Sequence, residues 1–193
     1  MTTATDDAGG TAEAGGGGTV TVRRALPAEL TVVGELTLAA YVADGFVTAE
    51  ADYVGQLRDA FARDRDAEVW VAIDAEEVDG DAESKSGRRA VLGSVTFCPV
   101  GSPYREIAVD DREAEFRMLA VASDARRRGV GRLLAQRCVD RARELGQSRM
   151  VMCSDRRMSA AHALYQSLGY TRIPERDWSP VEGVDLLAFA LDF

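Results

Sequence analysis

The stretch Arg126-Arg127-Arg128-Gly129-Val130-Gly131-Arg132 carries the residues best suited to holding a ligand. It follows an apolar run, Phe116 to Ala122, across a short polar hinge, Ser123 and Asp124. It opens a helical pattern in which Val130, Leu133, Leu134, Cys138, Ala142 and Leu145 recur on one side. A strand, a tight basic glycine turn and a helix in that order have a physical meaning. The N–H groups at a helix start have no partner inside the helix. The helix dipole adds partial positive charge at the same place. Glycine lets a ligand approach the backbone without meeting a Cβ. With four arginines around it, the turn suits a phosphate or pyrophosphate.

Three phosphate-binding patterns compete. A Walker loop needs Lys-Ser or Lys-Thr after its last glycine, where this chain has Arg132-Leu133. A dinucleotide fingerprint needs a third small residue where Leu134 stands. The pattern Arg/Gln-x-x-Gly-x-Gly/Ala after a strand is met by Arg126, Gly129 and Gly131. It resembles the acyl-CoA pyrophosphate loop of the GNAT N-acetyltransferase superfamily.

A second stretch strengthens the resemblance. Ala160-Ala161-His162-Ala163-Leu164-Tyr165-Gln166-Ser167-Leu168-Gly169-Tyr170 is similar to the GNAT helix that reads Ala-x-x-Leu-Tyr-x-x-x-Gly-Phe/Tyr, and it comes one strand after the glycine turn. The resemblance spans roughly residues 20–193, about one domain's length. It implies a three-layer α-β-α sandwich around a mixed, centrally splayed sheet. It implies direct transfer, in which an amine attacks the thioester of acetyl-CoA and the CoA thiol leaves. The pyrophosphate falls to Arg126, Arg127, Arg128, Gly129, Val130, Gly131 and Arg132. The thioester carbonyl and pantetheine arm fall to the backbone of Leu119, Ala120 and Val121. Tyr165 corresponds to the family's tyrosine acid for the departing thiolate, a phenol with a reference pKa of about 10. Glu115 stands eleven positions before Arg126, an offset at which some members carry a general-base glutamate. Strand alternation would place Glu115, Arg117, Leu119 and Val121 on one face. The family's usual Asn at the start of the second signature is replaced by Met158. His162, one turn before Tyr165, falls beside packing positions. Tyr104, Asp177 and Trp178, with Glu106, Asp110, Asp111 and Glu175 nearby, lie in loops that line the acceptor side in the family. An acidic, aromatic rim suits an amine.

These residues need a scaffold. Thr19 to Ala25 reads as a strand. A helix follows from Pro27 to about Tyr41, then a turn at 43–46 and a second helix from about Ala49 to Arg63. Strands are expected at Val69 to Ile73, Ala90 to Val100, Glu115 to Ala122, Arg149 to Ser154, Tyr170 to Ile173 and Val184 to Leu191, with helices from Val130 and over Ser159 to Leu168. Asp74 to Arg89 and Pro174 to Gly183 read as loops. Residues 1–19, rich in Gly, Ala and Thr, have too little apolar surface to offset their ordering entropy and read as a flexible tail before a single domain over 20–193.

Composition narrows the functions. The chain has 193 residues, with 23 basic and 32 acidic side chains and a net charge of −9. Such an acidic protein repels nucleic acid. Seven arginines against one acid between Arg126 and Arg143 form a local basic site fit for a small polyanion. Cys98, Cys138 and Cys153 form no Cys-x-x-Cys pair, and with one histidine no zinc set arises. They read as buried reduced thiols in a cytoplasm. No run is long enough to span a membrane, and the N-terminus lacks a signal-peptide layout. The resulting expectation is a metal-free cytoplasmic N-acetyltransferase using acetyl-CoA, acting on a small-molecule or peptide amine, in a family where homodimers are common. The alternative is a non-catalytic acyl-CoA sensor or interaction module. Tyr165 and Glu115 oppose it.

Overall fold

A computed structural model describes residues 11–12, 19–45, 53–74 and 90–193. The expected tail otherwise lies outside these residues, as do positions 46–52 and the loop over 75–89. Thr11–Ala12 (β1) departs from the tail reading, since it pairs antiparallel with Val20–Arg24 (β2).

The chain then runs through α1 (Leu30–Ala43), α2 (Tyr53–Arg58), α3 (Ala60–Asp66), β3 (Glu68–Asp74), β4 (Val91–Cys98), β5 (Glu113–Val121), α4 (Val130–Glu144), β6 (Arg149–Asp155), α5 (Ser159–Ser167), β7 (Thr171–Arg172), β8 (Trp178–Val181) and β9 (Val184–Asp192). The expected single helix after residue 49 is two, because Asp59 leaves helical geometry and its carboxylate caps α3 by accepting from the Ala62 N–H at 2.9 Å. The expected loop at 174–183 contains β8, which pairs with β9 at Trp178↔Leu186 and Val181↔Val184.

The strands form one sheet in the order β1-β2-β3-β4-β5-β6-β9-β7, with β8 beside β9. Alternation along the buried strands divides the core into layers. Val69, Val71 and Ile73 pack with Leu30, Val33 and Ala60 of the α1–α3 layer. Trp70, Ala72, Phe97 and Phe116 pack with Leu134, Cys138 and Tyr165 of the α4–α5 layer. The result is the three-layer α-β-α arrangement.

Among the described residues only β5 and β6 pair in parallel, and α4 makes the crossover between them. Their pairing covers Glu113–Glu115 against Arg149–Val151 and then stops. Both strands continue, so a notch opens between Phe116–Val121 and Met152–Asp155. A bulge sits in the same stretch. Register with β4 shifts between Ser94 and Thr96, and Met118 has φ 53°. Met118 turns toward Leu38 and Leu57, while Leu119 and Val121 join Phe116 on the α4 side. The shared face expected for Glu115, Arg117, Leu119 and Val121 is therefore broken at the extra residue.

Candidate active site

The glycine turn is built as a helix start left open. Arg127 has φ 65°. Gly129 caps α4 at φ 79°, where a side chain would be strained, and no side chain caps the helix. Val130 is buried and anchors the first turn in the core. Gly131 sits in close packing. A Cβ there would lie 3.3 Å from Leu164 Cδ2 and 3.7 Å from Leu119 Cδ2 and Val121 Cγ2. Arg126 donates to both oxygens of Asp44, at 3.0 and 2.8 Å, which ties the end of α1 to the turn. Arg128 pairs with Asp74, Arg132 Nη2 donates to Ser167 Oγ at 2.6 Å, and Arg127 is exposed.

The notch leads away from this turn. Ala122 donates its N–H to Leu92 O at 2.9 Å. Alternation of N–H direction along β5 then turns the N–H groups of Leu119 and Val121 toward the notch and that of Ala120 toward β4. Ala120 thus offers no N–H to the notch. Tyr165 packs at the same place, 4% exposed, with its ring 5.9 Å from Phe116, 5.9 Å from Tyr170 and 6.1 Å from Phe189. Burial raises its phenol above the ordinary value, with Cys138 and Cys153 adding to the effect. The phenol is held protonated.

On the other face a charged cluster stands where β5 and β6 part. Glu115 has no exposed surface. Its Oε2 accepts the N–H groups of Glu106, Ile107 and Ala108 at 2.9, 3.0 and 3.0 Å. Its Oε1 is buried without a partner. Burial raises the carboxyl, and the three backbone bonds oppose that shift. The glutamate expected to meet the substrate is therefore enclosed as a loop anchor, and a proton could reach it only through a relay. Arg117 lies 2.7 Å from Glu106 and donates to Tyr53 Oη and Tyr104 O at 3.3 Å. Cys153 is half-buried on the facing strand, its thiol pushed up to about 12 chiefly by burial.

The structure places the remaining acceptor-side residues unequally. Tyr104 joins the Arg117 cluster through its carbonyl. Trp178, 36% exposed, lies on β8 near Cys153. Both oxygens of Asp177 are engaged, one with Arg172 and the other with the Ala188 N–H at 2.7 Å. Its carboxylate braces β9 while the residue stays exposed. Met158 is the N-cap of α5, and its sulfur accepts from Ser154 Oγ at 3.4 Å. His162 packs its ring 5.2 Å from Phe189, and burial lowers its pKa. Tyr53 and Asp44 were not singled out from the sequence. Tyr53 reads as one apolar position of a helix, and Asp44 as a turn residue. Among the described residues no group of ligands could hold a metal, and no helix is long and apolar enough to cross a membrane.

Comparison with known proteins gives a concordant picture. Residues 36–170 match the Acetyltransferase (GNAT) family. A curated relative, N-acetyltransferase family 8 member 3 of Rattus norvegicus, is 30% identical over 88 residues. That alignment covers 46% of this chain and 37% of the rat protein, so the chain spans well under half of that relative's length. A GCN5-related N-acetyltransferase from Kribbella flavida superposes with a TM-score of 0.62 at 24% identity, over 90% of this chain and 98% of that one. The yncA protein of Salmonella typhimurium, a putative acetyltransferase solved with acetyl-CoA, superposes with a TM-score of 0.59 at 22% identity, over 90% and 93%.

Proposed function

The chain belongs to the GNAT family of acetyltransferases, and on that premise we propose that it transfers the acetyl group of acetyl-CoA directly to a primary amine. The observation that carries this reading is the alignment of an uncapped helix start with a notch between two diverging parallel strands. The N–H groups at the start of α4, with Arg127 beside them, suit a pyrophosphate. The N–H groups of Leu119 and Val121, left without a β-sheet partner, suit an extended amide-bearing arm and can polarise a carbonyl oxygen. Bound acetyl-CoA supplies the thioester. Tyr165 holds the proton that a departing thiolate requires, and its burial keeps that proton in place at neutral pH. Arg117, Glu106, Tyr53, Tyr104 and Trp178 line the side from which the amine arrives. Glu115 keeps that side in shape through the three N–H groups it holds.

Calorimetry with acetyl-CoA and with free CoA tests the reading. Micromolar dissociation constants, about −8 kcal/mol, are expected, followed by thiol release when a panel of primary amines is added. Absence of binding by the intact chain would overturn it.

A further inference from the structure

The acid–base inventory at the parting of β5 and β6 is unbalanced, because two carboxylates, Glu106 and Glu115, share one guanidinium, Arg117. Their surroundings differ. Glu115 is fully enclosed, and one of the N–H groups it holds is that of Glu106 itself. Glu106 keeps 25% of its side chain exposed, with Oε1 2.7 Å from Arg117 Nη2. Arg117 is in turn held by Tyr53 Oη and Tyr104 O. Glu106 therefore has a fixed backbone, a fixed cation beside one oxygen, and a partly exposed carboxylate near Arg117 and Cys153, residues of the two parting strands. An arriving ammonium would neutralise the surplus carboxylate.

We propose that Glu106 is the carboxylate that receives the acceptor's ammonium and takes its proton, with Glu115 as the positioning residue that fixes the Glu106 peptide. This rests on the transferase reading above. The ammonium gives one proton to Glu106. The freed nitrogen forms a bond to the thioester carbonyl carbon, the C–S bond breaks, and the sulfur leaves as thiolate with the electron pair. Tyr165 protonates the sulfur. The second proton shed by the nitrogen restores the phenol, and Glu106 passes the first to solvent. The groups facing Glu106 are Arg117 and Glu115 from β5, Tyr53 from α2, Cys98 from β4 and Cys153 from β6. Burial raises its carboxyl, Arg117 pulls it down and Glu115 pushes it up, for a net rise. A base must be unprotonated, so the rate climbs as pH rises through a value above the ordinary glutamate value.

The test uses the full chain with acetyl-CoA and n-butylamine as the probe acceptor, read by thiol release across pH. Glu106→Gln is expected to lower kcat/KM about 100-fold and remove the acidic limb, with acetyl-CoA affinity unchanged. Glu106→Asp should restore part of the rate and the limb. Glu115→Gln should lower the rate but keep the limb. If Glu115→Gln removes the limb and Glu106→Gln leaves it, Glu106 is not the proton acceptor, while the transferase reading stands. If the wild type does not bind acetyl-CoA, the transferase reading itself fails. A second measurement does not depend on turnover. In protein labelled with ¹³C at the glutamate carboxyl, the signal missing from Glu106→Gln should titrate and should shift when n-butylammonium is added with acetyl-CoA present. A Glu106 signal that n-butylammonium leaves unmoved overturns the proposal.

Discussion

Replacing Tyr165 with phenylalanine removes one oxygen from a ring packed among Phe116, Tyr170 and Phe189. No side chain among the described residues hydrogen-bonds that hydroxyl. With no such bond to lose, stability should change little. The ring's apolar contacts survive, and acetyl-CoA should bind as before. Turnover should behave differently. A positioned general acid contributes about 10²–10⁴-fold, or about 3–5 kcal/mol of barrier. The pH profile carries a further signature. An acid works while protonated, and burial raises this phenol, so in the wild type the alkaline fall in kcat should lie above the ordinary tyrosine value of about 10. Three measurements on Tyr165→Phe decide the matter: thermal unfolding, calorimetry with acetyl-CoA, and kcat with an acceptor amine that gives thiol release. Unchanged kcat would refute the assignment. A fall in melting temperature with a matching loss of acetyl-CoA binding would make Tyr165 a packing residue.

Other positions make separate predictions. Gly129→Ala forces a side chain into φ 79° and should cost about 1–2 kcal/mol of stability. By turning the N–H groups at the start of α4 it should also weaken acetyl-CoA binding at least tenfold, about 1.4 kcal/mol; denaturant titration and calorimetry measure the two effects. Gly34→Ala would place a Cβ 2.0 Å from Arg58 O. It should push α1 and α2 apart at a cost of about 3 kcal/mol, read as a lowered thermal midpoint. Asp44→Asn releases Arg126 from an ion pair whose side chains are 43% and 34% exposed. Such pairs are worth about 0.2–1 kcal/mol, so acetyl-CoA should bind up to about fivefold tighter at low salt. Weaker binding would mean that Asp44 supports the site instead.

Much of the site was legible in the chain because it is local. The turn over Arg126–Arg132 needs one strand, two glycines and one helix in succession, and each has its own sequence signal. Tyr165 could be placed for the same reason, since its helix and the following Gly169 form one short segment. The order of strands and helices followed from apolar periodicity, which reports burial one element at a time.

The rest depends on which elements meet. The extra residue at Met118 reverses the facing of Leu119 and Val121, and it shows only in the register between β5 and β4. Asp177 reads as a loop acid until the fold brings Arg172 and the Ala188 N–H to it. Glu115 was visible as a carboxylate near the right place, but its enclosure is not a property of β5. It arises because residues 106–108 fold back and spend their N–H groups on one of its oxygens. That contact leaves Glu106 beside Arg117 and partly exposed. The sequence by itself determined the glycine turn before α4, the tyrosine helix and the layered α/β plan, all of which rest on neighbours in the chain. Tertiary structure alone decided which carboxylate is enclosed and which stays partly exposed beside Arg117. Solvation and hydrogen-bond partners set that choice, and both come from segments distant in sequence.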